Sequence, residues 1–243
     1  MTDKSKFLTI GMQTHNRIEL AKKRIVSIYE RGLPDWVEFI VLAEKESKDN
    51  TWLELEYLNK KYPFTLYCGR GQGFSDAFMQ VILKSKGKYC LHLPDEDDFN
   101  LDSLFNLRRF LNKKNPDIVV SNYFTQDENK KLKPYRTNST RVINPVEFSS
   151  CSHNPGIIWN VGKTKKYINT KWDQWRDDYE VIVKYYPHIL LMIKIFPDLS
   201  SWFYNETVCF QKDSHDNQHT QHMGAKYNNL IPRWIQFNEL VDL

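Results

Sequence analysis

Short apolar stretches alternate with segments of helical period along the first hundred residues. Residues 7–12, Phe-Leu-Thr-Ile-Gly-Met, read as a buried strand that ends in the polar turn Gln13-Thr14-His15-Asn16-Arg17. Leu20, Ile25, Ile28 and Tyr29 then recur near helical spacing, which predicts a helix over 18–31, stopped by Gly32 and Pro34. A second strand is expected over 37–43, a charged loop over 44–50 and a second helix over 51–60, with Asn50 or Thr51 as its cap. A third strand over 64–68 leads through Gly69-Arg-Gly-Gln-Gly73 into a helix over 75–84, whose Ala77, Phe78, Val81 and Ile82 form an apolar side. Tyr89, Leu91 and Leu93 alternate with Cys90 and His92, as in a half-buried strand, and Pro94 cannot continue a ladder. Strand and helix therefore alternate, the pattern of a mostly parallel sheet flanked by helices, with ligands expected beyond the carboxyl ends of the strands.

The second half is less regular. A helix starts near Leu101, with Asp98 or Asn100 as N-cap, and a strand is predicted over 117–123. Residues 125–140 form a polar, lysine-rich excursion, and His153-Asn-Pro-Gly156 feeds a strand beginning at Ile157. In 172–186, Asp177 and Asp178 read as the first turn of a helix, where the dipole favours negative charge. Trp202-Phe-Tyr204 and a strand over 207–211 precede the histidine-bearing stretch 213–222. No internal repeat or low-complexity linker interrupts the chain, so one domain is the economical reading. Within it, two halves are expected, over about 1–125 and about 126–243.

Composition narrows the function classes. The 243 residues carry 41% hydrophobic and 26% charged side chains, as in an ordinary globular protein with one substantial core. A net charge of +4 with dispersed Lys and Arg does not favour duplex nucleic acid as a partner. Cys68, Cys90, Cys151 and Cys209 lie far apart, which indicates neither a zinc site nor a disulfide framework and suits a reducing compartment. No apolar run approaches the roughly 18 residues of a membrane span, so a cytoplasmic location is expected. An amphipathic tail over 232–241 is compatible with peripheral membrane contact, although packing on its own domain is the plainer reading.

The chemistry concentrates in Asp95-Glu96-Asp97-Asp98, directly after the strand that Pro94 ends. Four adjacent carboxylates repel one another unless a cation or solvent relieves them. A hard divalent ion, Mn²⁺ or Mg²⁺, is the cofactor this suggests, because Mg²⁺ needs only one or two protein carboxylates beside waters and substrate phosphates. A calcium hand is excluded: counted from Asp95, its fifth, sixth and twelfth positions hold Phe99, Asn100 and Asn106. The bland alternative is a solvated acidic turn that caps the next helix. The Gly69-x-Gly71-x-Gly73 run lacks the glycine spacing of a dinucleotide fold, and a nucleotidyltransferase would need more basic residues there than Arg70.

In this order the segments resemble the family 2 glycosyltransferases of the GT-A fold. Residues 8–17 are similar to that family's opening strand and its Thr-Tyr-Asn-Arg turn, with His15 in place of the aromatic. Glu44-Lys-Glu-Ser-Lys-Asp-Asn-Thr51 resembles its acidic loop, Gly73-Phe-Ser-Asp-Ala77 its Gly-x-Ser-x-Ala step, and 87–98 its Asp-x-Asp-Asp motif. Trp175-Arg-Asp-Asp-Tyr179 resembles the element that supplies its catalytic base, while the Arg-Asn expected after Ala77 is Phe78-Met79 here.

The resemblance covers about residues 7–180 and implies an inverting transfer from a nucleotide-activated sugar, most commonly a UDP-sugar, to a glycan or lipid-linked saccharide acceptor. It implies nucleotide-sugar contacts from Thr14, Asn16, Glu44, Arg70, Asp95 and Glu96, and metal ligation by Asp97 with Asp95. Asp178 is the implied general base, with Asp177 as the fallback. Because several members carry a late histidine ligand, His215 is a further metal candidate, while a solvated loop is the plainer reading of His215, His219 and His222. The alternative of a different class is a catalytically inactive nucleotide-sugar or glycan binding module of the same fold.

Overall fold

The computed structural model describes residues 6–126, 131–143, 147, 151, 154–195 and 199–213. His153, His215, His219, His222 and the tail over 232–241 lie outside them. The chain runs β1 (Leu8–Thr14), α1 (Ile18–Glu30), β2 (Val37–Ala43), α2 (Thr51–Lys61), β3 (Thr65–Cys68), α3 (Phe74–Lys84), β4 (Tyr89–His92) and β5 (Asp97–Phe99). It continues through α4 (Leu101–Lys114), β6 (Ile118–Gln126), β7 (Leu132–Arg136), β8 (Arg141–Val142), β9 (Ile157–Asn160) and α5 (Val161–Asp178). Last come α6 (Glu180–Tyr185), α7 (Pro187–Ile195) and β10 (Ser201–Gln211).

The strands form one sheet in the order β3-β2-β1-β4-β9-β6-β10-β5, with β7 beside β6 and β8 beside β10. From β3 to β4 all pairings are parallel, joined by helical crossovers. Beyond β4 the sheet is mixed: β9 is antiparallel to both β4 and β6, β10 is parallel to β6, and β5 is antiparallel to β10. The result is a mixed α/β domain, uniformly parallel from β3 to β4 and mixed beyond it.

Strand alternation sorts the side chains into two cores. Leu8, Ile10 and Met12 of β1 and Val37, Phe39 and Val41 of β2 face the core covered by α1, α2 and α4. Ile40, Leu42 and Cys90 face the opposite core, under α3, α5, α6 and α7. Each fully buried aliphatic side chain contributes about 1.5–3 kcal/mol. Gly11 is small for a reason visible here: a Cβ on it would lie 2.2 Å from Val81 Cγ1, so α3 packs directly on the β1 backbone.

Three sequence expectations need correction, and one helix went unpredicted. β4 is buried on both faces, because α3 covers the side that the alternation leaves to solvent; His92 stacks on Phe78 with ring centroids 4.2 Å apart. The polar excursion after residue 125 contains β7, a largely exposed edge strand whose Lys133 and Pro134 disguise it and discourage further pairing. α7 escaped because it is apolar all round and buried, so it has no amphipathic period. Asp177 and Asp178 close α5 instead of opening a helix. Asn160 caps α5 by accepting from the Lys163 amide at 3.2 Å, and Val161, Thr164, Ile168, Trp172 and Trp175 continue one buried stripe to its end.

Candidate active site

The polypeptide leaves β4 at His92, turns at Pro94 with the Asp97 amide donating to the Pro94 carbonyl at 3.0 Å, and enters β5. The four acidic residues are therefore not a solvated turn: all are buried, Asp97 and Asp98 to 1% exposure. Nor does one of them cap α4. That role falls to Asn100, whose side chain accepts from the amides of Asp102 and Ser103 at 3.0 and 3.3 Å, a cap typically contributing about 1 kcal/mol.

The carboxylates divide by partner. Thr14, at the carboxyl end of β1, donates its hydroxyl to Asp95 at 2.8 Å. Arg17, in the turn that follows, reaches Asp95 at 3.1 Å and Glu96 at 2.5 Å. Burial, a hydrogen bond to Glu96 and the Glu96 charge still push the Asp95 carboxyl up to about 7, against the pull of Arg17 and Thr14. Asp97 accepts from the buried Tyr123 hydroxyl, which lies 3.0 and 2.9 Å from its two oxygens. Burial, and then the Glu96 charge, hold the Asp97 carboxyl well above its ordinary value. Asp98 is neutralised by Arg24 at 3.0 Å, Lys212 at 2.9 Å and Arg31. Burial would raise its pKa, but the Lys212 hydrogen bond and the charges of Arg24 and Arg31 outweigh that and lower it.

A second group of expected residues gathers at the ends of β1 and β2. Asn16 adopts a left-handed φ of 54°, which asparagine tolerates, and its Oδ1 accepts the Lys48 amide at 2.5 Å. Asp49 ties the same loop together, accepting from the Ile18 amide at 2.9 Å and the Thr51 amide at 3.1 Å, so one carboxylate serves two helix starts. It thereby takes the capping role expected of Asn50 or Thr51. Glu44 is buried and accepts the Gly71 amide at 2.7 Å. A Cβ on Gly69 would stand 2.2 Å from Glu44 Oε1, so the glycine run folds closely over this carboxylate. Arg70 stands apart from the acidic turn: its guanidinium is largely exposed and pairs with Asp76 at 3.6 Å.

Asp177 and Asp178 are exposed, and Arg176 Nε contacts Asp177 at 3.3 Å. Tyr89 pairs with Asn160, so α5 starts level with the beginning of β4. Its 18 residues, about 27 Å of helix, pack on α3.

Arg17, Arg24 and Tyr123 were not singled out from sequence. Arg24 did carry a signal, because it falls inside the apolar stripe of Ala21, Ile25 and Ile28, where a charged residue needs a buried partner. Arg17 sits at a strand end, the usual place for ligand contacts. Tyr123 carried none, since a buried tyrosine in β6 is indistinguishable from ordinary core.

The donor set suits a hard divalent cation. Asp95 and Asp97 present buried carboxylates, and among the described residues no basic side chain forms an ion pair with Asp97. No three His, Cys, Asp or Glu side chains gather into a cage among the described residues, and an ion that keeps waters and substrate phosphates does not require one.

A family model described as Glycosyl transferase family 2 matches residues 9–183. TarS 1-349 of S. aureus, in complex with UDP-GlcNAc, is similar in structure with a TM-score of 0.66 at 13% identity, over 88% of this chain and 60% of that one. The mannosyltransferase PcManGT of Pyrobaculum calidifontis, in complex with GDP-Man and Mn²⁺, gives a TM-score of 0.54 at 14% identity, over 90% of this chain and 60% of that one. At such identities the likeness is one of fold, and the chain spans only 60% of the length of these two neighbours. No curated protein matches the sequence.

Proposed function

The chain belongs to glycosyl transferase family 2, and from that premise we propose that it is an inverting glycosyltransferase using a nucleoside diphosphate sugar. The observation that carries the reading is the convergence of Thr14, Arg17 and the buried Asp95-Glu96-Asp97 carboxylates beyond parallel strand ends. Asn16 and Glu44 hold the nucleoside, with Thr14 placing Asp95 against the ribose. Arg70, exposed in its pair with Asp76, is available to the diphosphate once a donor is bound. Asp97, with Asp95, would hold Mn²⁺ or Mg²⁺, which would supply charge neutralisation for the departing diphosphate. His215 lies beyond the described residues and is retained as a further ligand to test.

On the acceptor side, Asp178 takes the proton of a sugar hydroxyl, with Asp177 as the fallback base. The hydroxyl oxygen forms its bond to the anomeric carbon from the face opposite the diphosphate. The bond from that carbon to the phosphate oxygen breaks, and its electron pair leaves with the nucleoside diphosphate, which inverts the anomeric configuration. The proposed donor is a UDP-sugar, supported by the UDP-GlcNAc bound in the TarS structure, with a GDP-sugar as the comparison suggested by PcManGT. The proposed acceptor is a glycan or lipid-linked saccharide. No helix among the described residues is long and apolar enough to cross a membrane, and we assign the reaction to the cytoplasm.

The test is release of nucleoside diphosphate from UDP- and GDP-sugars with saccharide acceptors, with and without Mn²⁺. Metal-dependent turnover that disappears in Asp97→Ala is expected. Nucleotide binding without turnover, unaffected by Asp97→Ala and Asp178→Ala, would instead identify a binding module.

A further inference from the structure

β5, which carries Asp97, is three residues long and stands at the end of the sheet, with β10 as its one neighbour among the described residues. So short an edge strand is weakly held by its ladder. Three further sets of contacts fix it, one of them from Arg31, whose guanidinium pairs with Asp98 and donates to the Phe99 carbonyl at 3.0 Å. From β6, the Tyr123 hydroxyl lies within 3.0 Å of both Asp97 oxygens. From α1, the buried Arg24 reaches Asp98 at 3.0 Å and Asp213 at 2.8 Å. Asp213 lies two residues beyond the end of β10. Its amide and that of Lys212 both donate to the Glu96 carbonyl, at 3.0 and 3.1 Å, and Lys212 Nζ returns to Asp98. Residues 211–213 therefore strap the acidic turn, and Gln126 adds contacts to Gln211 and Lys212 from β6.

We propose that Tyr123 and Arg24 are positioning residues for Asp97, the first fixing the rotation of its carboxylate and the second fixing its strand by joining Asp98 to Asp213. The proposal rests on the reading of Asp97 as a metal ligand. A phenol has one proton, so Tyr123 donates to one oxygen at a time and leaves the other electron-rich towards a cation. Partners of this kind orient ligating carboxylates, and losing one typically costs about 10–100-fold in metal affinity. The Arg24 cluster calls for such a role because a buried ion network is often no more stabilising than apolar residues of the same volume.

Mn²⁺ titrations of the full chain, in the presence of UDP and separately GDP, test this on Tyr123→Phe, Arg24→Met and Arg24→Lys. Hydrogen exchange of the amides at 97–99 is measured on the same proteins. Tyr123→Phe and Arg24→Met should each raise the Mn²⁺ concentration at half-saturation by about 10–100-fold while metal-free nucleotide affinity stays unchanged. Arg24→Met should also speed exchange at 97–99; Tyr123→Phe should not, and Arg24→Lys should recover part of both losses. Unchanged Mn²⁺ affinity in folded Tyr123→Phe, or unchanged exchange in Arg24→Met, overturns the corresponding half. If the wild type binds no Mn²⁺ with either nucleotide, the metal-ligand reading itself fails. Normal wild-type binding with normal variants sinks only the positioning claim.

Discussion

Asp97 and Asp98 are neighbours on one strand and equally buried, yet they live in opposite electrostatic environments. Asp98 meets Arg24, Arg31 and Lys212, and its carboxyl is held below the ordinary range. Asp97 meets a neutral phenol, with Glu96 nearby, and its carboxyl is held above it. Successive residues of a strand point to opposite faces, so one step along the chain exchanges a cation-lined environment for an acidic one. A buried carboxylate already neutralised by protein has little left for a ligand. One lacking a cation is costly to the fold and available to a cation that arrives with substrate.

The largest effects should separate these two residues. Asp97→Asn is expected to lower metal-dependent turnover by about 10³-fold or more, an order typical of losing transition-state charge stabilisation. Because it removes a burdened carboxyl, its thermal midpoint should match or exceed that of the wild type. Asp98→Asn should do the reverse, destabilising the fold by about 3–5 kcal/mol in denaturant melts, since it breaks a buried charge cluster. Equal destabilisation by both substitutions would dissolve the distinction.

Asp178→Asn comes next, with an expected loss of about 10²–10⁴-fold in turnover. Its side chain is exposed, so stability should change by less than about 0.5 kcal/mol. A full loss in Asp177→Asn with none in Asp178→Asn would transfer the role to the fallback.

The pH dependence sharpens the comparison further. The Asp95 carboxyl titrates near 3.8 when unfolded and at about 7 when folded. The folded state therefore binds the extra proton between those values, and the stability this contributes is present below about 4 and lost as pH rises to about 7. The slope is about 1.4 kcal/mol per pH unit for one proton. Asp98 has the opposite sign, with stability present above its unfolded value of 3.8 and lost as pH falls through its lower folded one. Urea melts in EDTA should decline from pH 5 to 7, and saturating Mn²⁺ with UDP should flatten that decline. The smallest effect belongs to Arg70→Ala. Its exposed, 3.6 Å pair should contribute under about 1 kcal/mol, so any loss appears in nucleotide affinity and not in melting.

The parallel half was the more legible in sequence. From residue 8 to 92, strand and helix boundaries fall close to those that periodicity and Gly or Pro stops predict, because each parallel strand and crossover helix carries a local apolar pattern. Asp95 was legible as a strand-end residue, whereas Thr14, which donates to it, entered only through the family resemblance. The mixed half was less legible for reasons of context: α7 shows no period because it is buried all round, and β7 hides on a polar edge. The partners of Asp97 and Asp98 lie up to 114 residues away in sequence. No local pattern reports a contact of that range, and only Arg24, charged within an apolar stripe, marked its own importance.

The most direct test of the donor site is calorimetric binding of UDP and GDP to wild type and Asp97→Asn, each with and without Mn²⁺. The account predicts that one nucleotide binds the wild type far more tightly with Mn²⁺, and that Asp97→Asn, still folded, loses the metal-dependent part alone. Equal nucleotide binding with and without Mn²⁺ in both proteins, or none in either, would contradict it.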